Sequence, residues 1–106
     1  MSLEPLLDRL RAFREARGWA KFHRPKNLAI SISVEAAELL ELYQWRPDEQ
    51  TCDPELIARA RGEIADILIY LTLFSDALGI DPVEAAHAKI DENSNRFPVL
   101  TKQHES

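Results

Sequence analysis

Two matched pairs of acidic residues in apolar helical surroundings constrain this chain more than any other feature of its sequence. Glu35 and Glu38 form the first pair, and Glu63 and Asp66 form the second. The acids of each pair are three positions apart, a spacing that places both side chains on one face of an α-helix. The residues around both pairs are strongly apolar. The fold must therefore accommodate four carboxylates at the edge of its hydrophobic core.

Helical periodicity predicts that one acid of each pair lies within the buried face of its helix. With successive residues about 100° apart, Glu35 falls at the centre of one apolar stripe and Glu63 at the centre of another. Glu38 and Asp66 fall at the borders. The stripes comprise Leu28, Ile32, Leu39 and Leu42 on one helix, and Leu56, Ile67, Tyr70 and Phe74 on the other.

Four carboxylates in matched register indicate a bound cation. A single acid of this kind is more often part of a solvated helix face, but crowded and partly buried carboxylates repel one another strongly unless a positive charge compensates them. Carboxylate oxygens are hard ligands that suit Mg²⁺, with Mn²⁺ as a second choice. Such sites commonly act on phosphates.

Proline and glycine positions divide the chain into four helical segments, so the predicted fold class is all-α. The segments run over residues 3–17, 25–43, 54–78 and 82–96, with Ser2 as cap of the first and Asp81 as cap of the last. We expect one domain over residues 1–98 and a loose tail over residues 99–106. The third segment is apolar nearly all round between residues 64 and 74, which favours burial against a second copy of the chain.

Bulk composition excludes several classes of protein. The formal net charge of −5 argues against non-specific binding to a nucleic-acid polymer or a membrane. Cys52 is the only cysteine, which excludes a disulfide framework and favours a reducing, cytoplasmic location. The first residues show no basic segment followed by an apolar core, so we expect no signal peptide.

The last helix carries a polar row of Lys89, Asn93 and Arg96 at positions i, i+4 and i+7. Beside an acidic metal site, this combination of point charge, amide and guanidinium suits a triphosphate. The same row also fits a solvated face balanced by Asp91 and Glu92. The stripe expected to dock this helix comprises Val83, Ala86, Ile90 and Phe97.

These motifs together resemble the MazG-like all-α nucleoside triphosphate pyrophosphohydrolases. That family carries a Glu-x-x-Glu pair, a spacer, a Glu-x-x-Asp pair and then a helix with Lys, Asn and Arg. The small dCTP pyrophosphatase branch is matched further by GW at 18–19, FHRPKNL at 22–28, ELLELYQW at 38–45, DILIYL at 66–71 and RFPV at 96–99. Val34 departs from many members, which have an acid before the first pair; the dCTP branch shows a similar loss.

The resemblance implies a four-helix MazG-like bundle that assembles as a homodimer or a dimer of dimers. It also implies Mg²⁺-dependent hydrolysis of a dNTP to dNMP and pyrophosphate, with dCTP or a modified dCTP preferred, in sanitation of the nucleotide pool. Two alternatives stay open. One is the same chemistry on another (d)NTP or on phosphoribosyl-ATP, and the other is a non-catalytic helical dimer that binds nucleotides or a protein.

Site residues follow from the resemblance by position. The metal ligands would be Glu35, Glu38, Glu63 and Asp66. The phosphates would contact Lys89, Asn93 and Arg96, and Lys89 would also act in catalysis by offsetting transition-state charge. The base would lie near Trp19, His23 and Trp45. The general base stays open between Glu38 and Glu41.

Overall fold

The computed structural model describes residues 3–97 and Val99, apart from the side chain of Phe22. The described part contains four α-helices and no β-strand, which confirms the predicted all-α fold. The helices are α1 Glu4–Ala16, α2 Pro25–Tyr43, α3 Pro54–Ala77 and α4 Pro82–Arg96, and single 3-10 turns lie at Ala20–Phe22 and Asp48–Gln50. Val99 is exposed; the rest of the predicted tail over residues 99–106 lies outside the described residues.

Local backbone chemistry accounts for the helix boundaries. Each helix has a proline in its first turn, where a missing N–H costs nothing. Gly18 and Gly79 follow α1 and α3 with φ of 63° and 69°, a conformation that favours glycine. The Asp81 carboxylate accepts hydrogen bonds from the backbone N–H groups of Val83 at 3.0 Å and Glu84 at 3.1 Å, as predicted for a cap. At α1 the cap position is Leu3, and Ser2 lies outside the described residues.

Packing between α2 and α3 forms the main tertiary contact of the chain. The core comprises Leu28, Leu42, Leu56, Ala60 and Leu73. Leu28 and Leu56, one from each predicted stripe, are 1% exposed. Leu42 packs with Leu56 and Ala60 near the connector, so the two helices run antiparallel from that end. This register determines which residues of α2 face α3.

Helix α1 contacts α3 over a shorter stretch. Arg11 of α1 forms an ion pair with Asp76 of α3, and its Nε donates to Asp76 Oδ2 at 3.4 Å. The positive charge of Arg14 approaches the same carboxylate, with Nη2 4.0 Å from Oδ2. The contact between these helices is therefore partly ionic.

Helix α4 makes only marginal contact with the rest of the described chain. Val83 is half-buried at its first turn, but Ile90 is 59% exposed and Phe97 is 65% exposed. The prediction that this stripe docks α4 is therefore wrong for the single chain. Beyond its first turn, α4 makes few contacts with the α2–α3 pair, so Ile90 and Phe97 are left exposed.

The single chain leaves much apolar surface in contact with water. Its radius of gyration is 17.8 Å, whereas a compact domain of this size has about 13 Å. Exposed apolar residues of α3 are Ile57, Ile64, Leu68 and Leu71. This surface is consistent with the predicted contact between copies, which stays a prediction. Among the described residues, no helix combines the length and the hydropathy needed to cross a bilayer.

Candidate active site

The antiparallel pairing of α2 and α3 places two acids opposite each other. Glu35 lies seven residues before Leu42, and Glu63 lies seven residues after Leu56. Each acid is therefore two helical turns, about 10.5 Å, from the Leu42–Leu56 contact. Equal offsets on two antiparallel helices bring the side chains to the same level. The matched register seen in the sequence thus becomes spatial proximity.

Three carboxylates converge at this level. One oxygen from each of Glu35, Glu63 and Asp66 lies within 4.8 Å of the others. Glu35 and Glu63 are half-buried, and their Oε2 atoms are buried without a hydrogen-bond partner among the described residues. Buried polar atoms normally have partners, so these two oxygens point to a ligand. We call Glu35, Glu63 and Asp66 the acidic cluster.

Electrostatics inside the cluster favour a proton or a cation. The pKa of Glu35 is raised to about 7, chiefly because its protonated carboxyl hydrogen-bonds the carboxylate of Glu38. Burial and repulsion from Glu38 raise it further, followed by a hydrogen bond with Glu63 and repulsion from Asp66. Glu38 therefore lies beside Glu35, although it is not one of the three converging residues.

The donor set and its spacing fit a divalent cation. Magnesium binds oxygen at about 2.1 Å, so two oxygens on one ion are at most about 4.2 Å apart. The three cluster oxygens lie within 4.8 Å of one another, so at most a sub-ångström adjustment brings them to that value. All three donors are hard carboxylate oxygens. Glu35, Glu63 and Asp66 could thus hold Mg²⁺ or Mn²⁺.

A cavity of about 420 Å³ lies between α1, the connector after it and α3. We call it the α1–α3 cavity. Its walls include the aromatic residues Phe13, Trp19 and Tyr70. Trp19 meets Phe13 edge-on with ring centroids 5.6 Å apart. Asp66 lines the cavity as well as belonging to the acidic cluster, so the two features are adjacent.

His23 lines the same cavity. Burial lowers the pKa of its imidazole, and the positive charge of Arg14 lowers it further. Its Nδ1 atom is buried without a hydrogen-bond partner among the described residues. A neutral imidazole can both donate and accept a hydrogen bond. Of the three residues expected near a base, Trp19 and His23 thus share one cavity.

The structure leaves other expected residues apart from this site. Trp45 is 86% exposed in the connector after α2. Glu41 is also exposed, and lies six residues, or about 9 Å along the helix axis, beyond Glu35.

The polar row of α4 is likewise separate from the acidic cluster in the single chain. Lys89 Nζ donates to Glu92 Oε1 at 3.3 Å, and both side chains are exposed. Asn93 is half-buried. The Arg96 guanidinium lies 5.3 Å from the Phe97 ring centroid. Because α4 packs only marginally against the other helices, this row faces its own helix and water.

Several cavity residues were missed by reasoning from the sequence. Phe13 and Arg14 of α1 line the cavity opposite Tyr70 of α3. The signal for Arg14 was available, because Leu7, Leu10 and Arg14 follow the spacing i, i+3 and i+7 of one helix face. Like Glu35 and Glu63, Arg14 is a charged residue on an apolar helix face, but its charge is positive.

Comparison with known proteins shows to which family the chain belongs. The family model of the MazG-like proteins matches residues 30–106. The chain belongs to the MazG-like family. The dCTP pyrophosphatase 1 of Bos taurus is 39% identical, and the match covers 92% of this chain and 63% of the bovine protein. The human dCTP pyrophosphatase 1 is 35% identical over 92% of this chain and 62% of the human protein.

This MazG-like chain also resembles a solved structure along nearly its whole length. A pyrophosphatase from Archaeoglobus fulgidus DSM 4304 superposes with a TM-score of 0.81 at 47% identity, covering 92% of this chain and 93% of the archaeal one. The predicted resemblance to the family and to its dCTP pyrophosphatase branch is confirmed. The chain spans less than two thirds of the mammalian relatives, at 63% and 62% of their lengths.

Proposed function

We propose that this MazG-like chain is a nucleoside triphosphate pyrophosphohydrolase that uses Mg²⁺ and converts a dNTP to dNMP and pyrophosphate. The observation that carries the proposal is the convergence of Glu35, Glu63 and Asp66, with two orphaned buried oxygens, beside a cavity with aromatic walls. The relatives named dCTP pyrophosphatase support dCTP or a modified dCTP as the preferred substrate.

Hydrolysis would begin with water at the α-phosphorus. A divalent cation on the cluster would lower the pKa of that water and offset phosphate charge. Oxygen from the water bonds to the α-phosphorus, the bond from that phosphorus to the bridging oxygen breaks, and pyrophosphate leaves. Glu38 is our choice as the base that accepts the water proton, because it lies beside Glu35 at the exposed border of the stripe. Glu41 lies a further helical turn away.

The α1–α3 cavity is our candidate for the nucleoside end of the substrate. Its volume of about 420 Å³ lies within the range of about 300–1,000 Å³ typical of small-molecule sites. The rings of Phe13, Trp19 and Tyr70 offer stacking surfaces for a base. Asp66 connects this cavity with the acidic cluster, so one nucleotide could occupy both.

The remaining site residues would come from a second copy of the chain. The polar row of Lys89, Asn93 and Arg96 lies on α4, which makes only marginal contact with the other helices of its own chain. Trp45 is exposed. Apolar residues of α3 and α4 are exposed on the same molecule. Assembly as a homodimer or a dimer of dimers would bury those residues and bring the polar row to a neighbouring acidic cluster.

The decisive test is pyrophosphate release from all common dNTPs and NTPs, from 5-methyl-dCTP and from phosphoribosyl-ATP. Each reaction runs with Mg²⁺ and with chelator. We expect metal-dependent release concentrated on the cytosine nucleotides, and its loss in Glu38→Gln. Glu55→Gln, an exposed acid on α3 outside the cluster, is the matched control and should keep wild-type activity.

Other outcomes would redirect the proposal. Release from many bases would retain the acidic cluster and discard cytosine preference. Release from phosphoribosyl-ATP alone would change the substrate. Binding of nucleotides without any release would favour the non-catalytic helical dimer.

A further inference from the structure

The α1–α3 cavity contains an arginine whose hydrogen-bonding capacity is largely unused. The Arg14 side chain is 17% exposed, and its Nε atom is buried without a hydrogen-bond partner among the described residues. Its Nη2 atom lies 4.0 Å from Asp76 Oδ2, beyond the usual limit of about 3.2 Å for an N–H···O bond. Arg11 forms the closer ion pair with Asp76, so Arg14 interacts with that carboxylate only at longer range.

A buried guanidinium with open donors predicts an acceptor on whatever fills the cavity. Arginine carries five N–H donors in a planar fork, has no acceptor and stays charged at every relevant pH. Leaving such donors unpaired in a partly dry site is costly. The pKa of His23 in the same cavity is lowered by burial and by Arg14, so the permanent positive charges among the lining residues are those of Arg14 and Arg9.

The part of α3 that Arg14 of α1 approaches assigns this arginine to the base end of a bound nucleotide. Asp66 marks the end of the cavity next to the acidic cluster, and Asp76, which Arg14 approaches, lies ten residues further along α3. Ten residues of helix span about 15 Å. With the phosphates at the cluster, the atoms that reach toward Arg14 are those of the base, and the rings of Phe13 and Tyr70 lie in the same cavity.

We infer that Arg14 is the residue that selects cytosine over the other pyrimidines, through paired hydrogen bonds from its guanidinium to the N3 and O2 atoms of cytosine. These atoms are adjacent acceptors, which the parallel donors of arginine fit. Thymine and uracil also present O2, but their N3 carries a hydrogen and opposes an N–H donor. Adenine has no carbonyl oxygen at all. The C5 position lies on the opposite edge of the ring, so a 5-methyl group leaves this contact intact. The inference rests on the proposed function.

The test compares two pyrimidines of nearly equal size. In Arg14→Met, which keeps length but removes every donor, we expect the ratio of kcat/KM for dCTP to that for dTTP to fall about 10- to 100-fold, the usual value of hydrogen bonds to a charged group. The kcat/KM for dTTP should change much less. Arg14→Lys should lose most of the same ratio, because lysine keeps the charge but not the fork.

Arg11→Met is the matched control. Arg11 lies on the same helix and pairs with the same Asp76, but it does not line the cavity. Its removal should leave the dCTP-to-dTTP ratio at the wild-type value. If Arg11→Met lowers the ratio as much as Arg14→Met does, the effect comes from the α1–α3 ion pair and the inference is wrong.

Equal losses for dCTP and dTTP in Arg14→Met would place the guanidinium on phosphate or in a structural role, and would overturn the inference while the proposed function stands. An unchanged ratio would overturn it as well. Calorimetric binding of deoxycytidine against thymidine, with chelator present, reports on the base alone. Preference for deoxycytidine that disappears in Arg14→Met would support the inference even if wild-type protein hydrolysed nothing. Should Arg14→Met fail to fold by circular dichroism, the Arg14→Lys ratio decides.

Discussion

The acidic cluster and the polar row of α4 carry opposite charge and depend on the fold in different ways. Glu35, Glu63 and Asp66 converge because two antiparallel helices share one register. Lys89 and Arg96 lie on a helix with only marginal contact to the rest, and they interact with their sequence neighbours Glu92 and Phe97.

This difference separates a region that one chain assembles from a region that, in the proposed function, a second copy of the chain completes. The cluster holds half-buried carboxylates whose repulsion calls for a cation, so it is costly without a ligand. The row is solvated and contributes little until something negative reaches it. The proposed phosphate site combines both regions. Substitutions in either region test this difference.

Removing one carboxylate from the cluster should have the largest effect. Glu63→Gln should lower kcat with Mg²⁺ roughly 10³-fold, because a cation that stabilises transition-state charge supplies several kcal/mol. It should also abolish the rise in melting temperature that Mg²⁺ gives the wild type, since binding to the folded state stabilises it. Enzyme assay and thermal melting check the two parts. Retained activity with a normal Mg²⁺ response would exclude Glu63 as a ligand.

Mixing two inactive variants should show whether the row acts across chains. Lys89→Met and Glu63→Gln each damage a different half of the site. If every site combines the cluster of one copy with the row of another, random pairing gives half heterodimers with one intact site each, or about a quarter of wild-type activity. We expect this recovery after co-refolding. A mixture as inactive as its components would mean that α4 folds back onto its own chain.

The cluster should give the protein an unusual dependence of stability on pH when metal is absent. The pKa of Glu35 is raised to about 7 from the ordinary glutamate value of 4.5. The stability that Glu35 contributes to the folded state is therefore fully present below pH 4.5 and is lost as the pH rises through about 7. Melting in chelator should show stability falling between these pH values, with Mg²⁺ restoring it at the alkaline end. Glu35→Gln should flatten the profile; an unchanged slope in that variant would assign it to other groups.

The smallest effect is expected at the cap of α4. Asp81→Ala removes the side chain that accepts from Val83 and Glu84, at a cost of about 1 kcal/mol. In a monomer, where α4 is nearly independent, amide exchange along α4 should accelerate about fivefold while the α2–α3 core keeps its protection. Equal acceleration in both regions would show that α4 is coupled to the core, as an assembled oligomer requires.

Reasoning from the sequence recovered the helices and the local part of the site. Proline first turns, Gly18, Gly79 and the Asp81 cap are local backbone signals, so the helix boundaries agreed closely with those observed. The buried stripes with Glu35 at one centre also follow from periodicity alone. The prediction that α4 docks on its own chain was wrong, because an amphipathic pattern shows that a helix face is apolar but not which surface covers that face.

Four helices, their apolar faces and the spacing that lets Glu35 and Glu63 meet could all be predicted from the sequence, because each depends on residues a few positions apart. The shared cavity of Trp19, His23 and Arg14, with Trp45 outside it, became visible only in the folded chain. Those neighbours come from α1, a connector and α3, and the angle and offset between separate elements depend on packing of many side chains at once. The local periodicity of the sequence does not specify that geometry.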